Sequence, residues 1–223
     1  MEIKGKKINF LGDSITFGYG VSSPDKNFPS MMKKIYGLGE ARNYGISGTR
    51  ISRQARKSDW PGCDDCDHDF LSRVDEMDDD ADIIVVFGGT NDFGHGDAPL
   101  GTFSDRSEYT FFGALHTLYT SLLNKYPSKD IVVLTPMHRP DEDNPRTNIR
   151  KAYDGAVLED YVNAIKKVAA YYSLPVLDMY SCSGVQSKVE AVRKAFCLED
   201  GVHPNDAGYE RIANKVAAFL MSL

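Results

Sequence analysis

Near the start of the 223-residue chain, the short apolar run Ile8-Asn9-Phe10-Leu11 gives way to Gly12-Asp13-Ser14. A serine hydroxyl is a weak nucleophile until a base takes its proton, and that base needs a third group to fix its tautomer. Both partners occur together far along the chain, in Asp200-Gly201-Val202-His203. Carboxylate and imidazole three residues apart in a tight turn can lie side by side, one ring nitrogen on the aspartate and the other facing a serine. Gly201 permits a sharp turn, and Pro204-Asn205-Asp206 has the form of a helix start. Each motif also has a plain structural reading: Gly-Asp-Ser as a turn, Asp-x-x-His as a capped loop before the last helix.

Ester cleavage also needs donors for the oxyanion that develops in the transition state, each worth roughly 10²–10³ in rate. Asn43-Tyr44-Gly45-Ile46-Ser47-Gly48 supplies glycines, whose bare N–H groups can approach a ligand closely. Gly88-Gly89-Thr90-Asn91-Asp92 supplies an asparagine amide.

The elements that must position these groups alternate in the manner of a parallel sheet covered by helices on both faces. Strand-like runs fall at about 7–11, 42–44, 82–87, 130–134 and 174–177; Ile83-Ile84-Val85-Val86-Phe87 is the clearest, suited to a buried central strand. Helices are expected over Phe28–Tyr36, with Asn27 as N-cap and Gly37 as stop, and over Glu108–Tyr126, ending before Pro127. Two more are expected over Ala152–Tyr172 and Asn205–Leu220. Neither repeat nor linker interrupts the chain, so one domain over 1–223 is expected. Long irregular stretches at about 49–67, 93–107 and 136–150 begin at strand exits, the rim on which ligands of open α/β sheets sit.

Serine, glycine N–H, asparagine amide and Asp-x-x-His thus stand at four strand exits of one rim. Gly12-Asp13-Ser14, Asn43–Gly48, Gly89-Thr90-Asn91-Asp92 and Asp200–His203 resemble, in order and rough spacing, the four motif blocks of the SGNH (GDSL) hydrolase family. The resemblance implies an α/β fold: a three-layer αβα sandwich on a five-stranded parallel sheet, flavodoxin-like in type. It implies Ser14 as nucleophile, His203 as base and Asp200 as its partner. The N–H groups of Ser14 and Gly48 and the amide of Asn91 would form the oxyanion hole. A serine mechanism of this kind requires neither metal nor organic cofactor. The Gly-x-Ser-x-Gly elbow of the α/β-hydrolases is absent.

Other residues carry weaker signals. Asp13 and Asp92 flank the motif positions and are read as fixing their loops through the backbone. Asp13, Trp60, His95 and His138 are also candidates to line a substrate pocket, Trp60 alternatively as a loop anchor. Arg139, beside His138, could meet a polar or anionic substrate group. His68 and His116 are read as structural. Cys63-x-x-Cys66 has metal-ligand spacing but no second pair, and is read with Cys182 and Cys197 as ordinary thiols.

A formal charge of −6 disfavours a nucleic-acid partner. No apolar run approaches the ~20 residues of a membrane span, and the first is too short for a signal-peptide core, so a cytoplasmic protein without a membrane partner is expected. The long loops carry Arg50, Arg53, Arg56, Arg139, Arg146 and Arg150 and no extended apolar stretch. That pattern favours short acyl groups, such as acetyl esters of a carbohydrate or other polar alcohol. Lipid acylhydrolase and thioesterase are the alternatives on the same residues. A non-catalytic flavodoxin-like binding module would need a phosphate loop after the first strand, and none is visible.

Overall fold

The computed structural model describes residues 1–58, 65–145 and 154–223. In chain order its elements begin β1 (Lys7–Gly12), α1 (Ser14–Phe17), α2 (Phe28–Tyr36), β2 (Glu40–Gly45), α3 (Phe70–Arg73), β3 (Ile83–Phe87) and α4 (Thr90–Gly94). They continue with α5 (Phe111–Lys125), β4 (Asp130–Leu134), α6 (Leu158–Tyr171), β5 (Val176–Leu177), α7 (Met179–Cys182), α8 (Glu190–Phe196) and α9 (Asp206–Ser222). A single-turn 3₁₀ segment, Pro24–Lys26, precedes α2.

The five strands form one parallel sheet in the order β2-β1-β3-β4-β5. Strand alternation sorts the side chains of β3 onto two faces. Ile84 and Val86 join Leu11, Phe70, Phe111, Leu115, Tyr161 and Val168 on one side. Ile83, Val85 and Phe87 join Phe10, Phe28, Met32, Tyr209, Ile212 and Val216 on the other. The three-layer α/β architecture is therefore as expected. Phe10 is fully buried, edge-on to Phe28 at 5.4 Å between centroids, and truncating it to alanine costs about 3–5 kcal/mol.

Local chemistry sets the helix ends. The Asn27 side chain accepts the Ser30 N–H at 2.9 Å, and α2 stops where Gly37 turns left-handed at φ +68°. Thr110 caps α5 through the Gly113 N–H at 3.2 Å, so that helix starts three residues later than Glu108. The expected 152–172 helix begins only at Leu158. Of its earlier residues, 152 and 153 lie outside the described ones, and Asp154 and Gly155 form a turn instead. The Asp154 carboxylate accepts the N–H groups of Ala156 (3.0 Å) and Leu100 (2.7 Å), and Gly155 sits at φ +75°. Among the described residues no helix is long and apolar enough to cross a membrane.

Candidate active site

The chain turns to opposite sides of β1: β2 lies beyond one edge and β3 beyond the other. The carboxyl end of such a strand opens into a crevice between diverging connections. Ser14 stands there, 5% exposed, as the first residue of α1. Asp13 holds the turn by accepting the Ile15 N–H on Oδ1 at 3.0 Å. Burial pushes the Asp13 carboxyl up to about 7, against the opposing pull of the Ile15 N–H and of Arg73.

The Asp200–His203 segment is a closed turn. Leu198 N–H donates to the His203 carbonyl (2.8 Å), Gly201 N–H donates to the Leu198 carbonyl (3.0 Å), and Cys197 bridges to Pro204. Gly201 takes φ +67°, which a side chain would resist. Asp200 Oδ1 accepts the N–H groups of Val202 (2.9 Å) and His203 (3.0 Å), while Oδ2 lies 2.6 Å from His203 Nδ1. A carboxylate only accepts, so the ring proton belongs on Nδ1 and the Nε2 lone pair faces outward. Nε2 lies 2.9 Å from Ser14 Oγ. Burial pushes the Asp200 carboxyl up, but the bonds from His203 and Val202 outweigh it and leave the group below its ordinary value.

Tyr19 borders this relay, its ring centroid 4.5 Å from that of His203 at an interplanar angle of 43°. Its backbone is pinned, the N–H to the Ser14 carbonyl and the carbonyl to the Tyr209 hydroxyl, both at 2.9 Å. The ring itself is 49% exposed. Nothing in the local sequence marks Tyr19, because His203 and Tyr209, which its ring and carbonyl meet, come from the other end of the chain.

On the opposite side, Gly48 sits at φ +76°. Thr49 follows it, and its carbonyl accepts the Asn91 side-chain amide at 3.0 Å. An amide nitrogen carries two hydrogens, so this bond orients Asn91 and leaves one donor for a ligand. Asp92 fastens the next residues: its carboxylate accepts the N–H groups of Ile51 (2.9 Å) and Ser52 (2.8 Å) and the Ser52 hydroxyl. Burial pushes the Asp92 carboxyl up, and these bonds pull it down only in part. Asp13 and Asp92 thus fix their loops through the backbone.

The pocket candidates fare differently. Asp13 is buried, its carboxylate turned to the Ile15 N–H. His95 is buried as well, its Nδ1 2.9 Å from Arg50 Nη1. His138 lies against Tyr180, 3.9 Å between centroids and tilted by 40°, and pairs with Glu142 at 2.8 Å. Trp60 lies outside the described residues, as do Cys63, Arg146 and Arg150. The loop arginines are paired within the protein: Arg50 with Asp67, Arg53 with Asp69 and Glu108, Arg56 with Asp97, Arg139 with Asp141. Arg56–Asp97 ties the stretch after β2 to the one after β3, whereas Arg139–Asp141 closes within one loop. His116 is structural, its ring nitrogens 3.0 Å from the Tyr172 hydroxyl and the Phe103 carbonyl. Cys182 and Cys197 are free, while Cys66 is held in a disulfide and is not the ordinary thiol expected. Among the described residues no group of three or more His, Cys, Asp or Glu is placed to hold a metal ion.

Residues 10–211 match the model of the GDSL-like lipase/acylhydrolase family. An acetylxylan esterase from Xylanibacter ruminicola is 23% identical over 95% of this chain, which spans only 42% of that relative's length. A solved Lactobacillus plantarum protein superposes with a TM-score of 0.81 at 30% identity, covering 99% of this chain and 98% of that one. A lipase/acylhydrolase from Enterococcus faecalis superposes with a TM-score of 0.64 at 19% identity, covering 97% and 96%.

Proposed function

The chain belongs to the GDSL-like lipase/acylhydrolase family, and from that premise we propose that it is a carboxylic ester hydrolase that deacylates short-chain, chiefly acetyl, esters of a carbohydrate or other polar alcohol. The observation that carries the reading is the hydrogen-bonded line Ser14 Oγ–His203–Asp200, with links of 2.9 and 2.6 Å at the carboxyl end of the sheet.

In the mechanism this supports, His203 Nε2 takes the Ser14 proton as Oγ attacks the ester carbonyl, and Asp200 stabilises the imidazolium that forms. The carbonyl oxygen, now negative, is met by the N–H groups of Ser14 and Gly48 and by the Asn91 amide. The imidazolium then protonates the leaving alcohol, and water activated by the same nitrogen releases the acid from Ser14. Because the alcohol must come within reach of Nε2, its remaining atoms lie near the exposed Tyr19 ring. A flat aromatic face of this kind suits the C–H face of a sugar ring. The acetylxylan esterase relative points the same way, from a distance of 23% identity.

The test compares p-nitrophenyl acetate, butyrate and octanoate, with Ser14→Ala alongside and an acetylated xylo-oligosaccharide as the sugar ester. Turnover that falls with acyl length and vanishes in Ser14→Ala is expected. Turnover rising with chain length points to a lipid acylhydrolase and overturns the short-acyl reading. Equal turnover by both proteins overturns the serine mechanism.

A further inference from the structure

Arg73, the last residue of α3, is 1% exposed. Its guanidinium lies over the Phe70 ring, 4.7 Å from the centroid. Burial lowers its pKa to about 10, so it still carries its charge at neutral pH. A charge in this position is costly for stability, and an apolar side chain of similar volume would pack as well or better. What distinguishes the arginine is the set of oxygens it joins.

Nη1 donates to the Gly12 carbonyl at 3.1 Å and to the Tyr44 carbonyl. Nη2 donates to Thr49 Oγ1 at 2.9 Å, and Nε to the Asp69 carbonyl at 3.3 Å. Gly12 ends β1, two residues before Ser14, and Tyr44 is the penultimate residue of β2. Thr49 follows Gly48, and its carbonyl is the acceptor for Asn91. One planar group therefore touches the nucleophile strand, the neighbouring strand end and the loop that carries the other oxyanion groups.

We propose that Arg73 is a positioning residue that fixes the Ser14 turn and the Gly48–Thr49 loop at the separation the tetrahedral intermediate requires. The proposal rests on the serine-esterase reading above. A rigid fork with five donors can hold three segments at once; a lysine ammonium at the end of a flexible stem cannot. Errors of about 1 Å between reacting groups cost up to ~10²-fold in rate while leaving substrate affinity nearly intact.

The experiment measures kcat and KM on p-nitrophenyl acetate, and the rate at which a fluorophosphonate labels Ser14. It uses wild type, Arg73→Lys and Arg73→Met, each well below its melting midpoint by circular dichroism. Val168→Ala, on the buried face of α6, controls for loss of stability alone. Arg73→Lys is expected to stay folded with kcat about tenfold lower, and Arg73→Met about a hundredfold lower, with KM within about twofold. Labelling should slow in parallel, and Val168→Ala should keep wild-type kcat despite its lower midpoint. Wild-type kcat and labelling in folded Arg73→Lys overturn the positioning role while the serine reading stands. A wild-type protein that neither turns over nor labels overturns the serine reading, and this proposal with it.

Discussion

The side-chain amide of Asn91 donates to the carbonyl of Thr49 across 3.0 Å, tying the exit of β3 to the loop after β2. Gly48 immediately precedes that carbonyl, so two of the proposed oxyanion donors are linked through a single hydrogen bond. Asn91→Ala removes a donor and the tie together. A fall in kcat of roughly 10²–10³, with KM little changed, is expected from steady-state kinetics. An unchanged kcat would remove Asn91 from the hole.

Asp200→Asn separates geometry from chemistry. The asparagine oxygen can still accept the N–H groups of Val202 and His203, so the turn should persist and the melting temperature should shift little. Its amide, however, donates toward Nδ1 and drives the ring proton to Nε2, the nitrogen that must act as base. Kcat is expected to fall by about 10⁴ in a protein whose circular dichroism is unchanged. Retention of more than a tenth of wild-type kcat would mean that Asp200 does not set the tautomer.

Buried Asp13 imposes a pH dependence of definite sign. Its carboxyl titrates at 3.8 when unfolded and at about 7 when folded. Between these values the folded state holds a proton that the unfolded state has lost, so this group's contribution to stability falls as pH rises through the window. Asp13→Asn can still cap the Ile15 N–H but cannot ionise. Its urea midpoint, relative to wild type, is therefore expected to climb from about pH 4 to about pH 7 and then level off. A flat difference across that range would refute the assignment.

Asp92→Ala tests the loop anchor. Losing the carboxylate orphans the Ile51 and Ser52 N–H groups in the interior, at about 1–3 kcal/mol each. A melting point lower by roughly 4–24 °C is expected by calorimetry, since 1 kcal/mol moves a domain of this size by about 2–4 °C. A shift under about 2 °C would show that the loop finds other partners.

Much of this arrangement is legible in the sequence where its causes are local. Asn27 and Gly37 delimit α2 because a cap and a left-handed stop need only neighbouring residues. The run from Ile83 to Phe87 is a strand because every side chain in it is buried between two helical layers. Asp200 and His203 can be paired on paper because their turn closes on itself. The rest depends on partners far away in the chain. The amphipathic pattern before Leu158 is interrupted by Gly155 and the capture of Asp154 by Leu100, fifty-four positions away. Helices as short as α1, α3 and α4 offer too few turns for a period to show. Arg73 reads as one more charge on a helix until its acceptors, Gly12, Tyr44 and Thr49, are folded around it.

The self-contained turn that pairs Asp200 with His203 lies 189 residues beyond the serine it would activate. At ordinary translation rates of about 5–20 residues per second, a ribosome takes roughly 10–40 s to travel between them. Throughout that interval Ser14 is present without the base proposed for it, and on that reading the emerging polypeptide is not yet able to acylate itself on esters it meets. In the proposed mechanism reactivity then arrives as a single event, when the Asp200–His203 turn docks against the exit of β1.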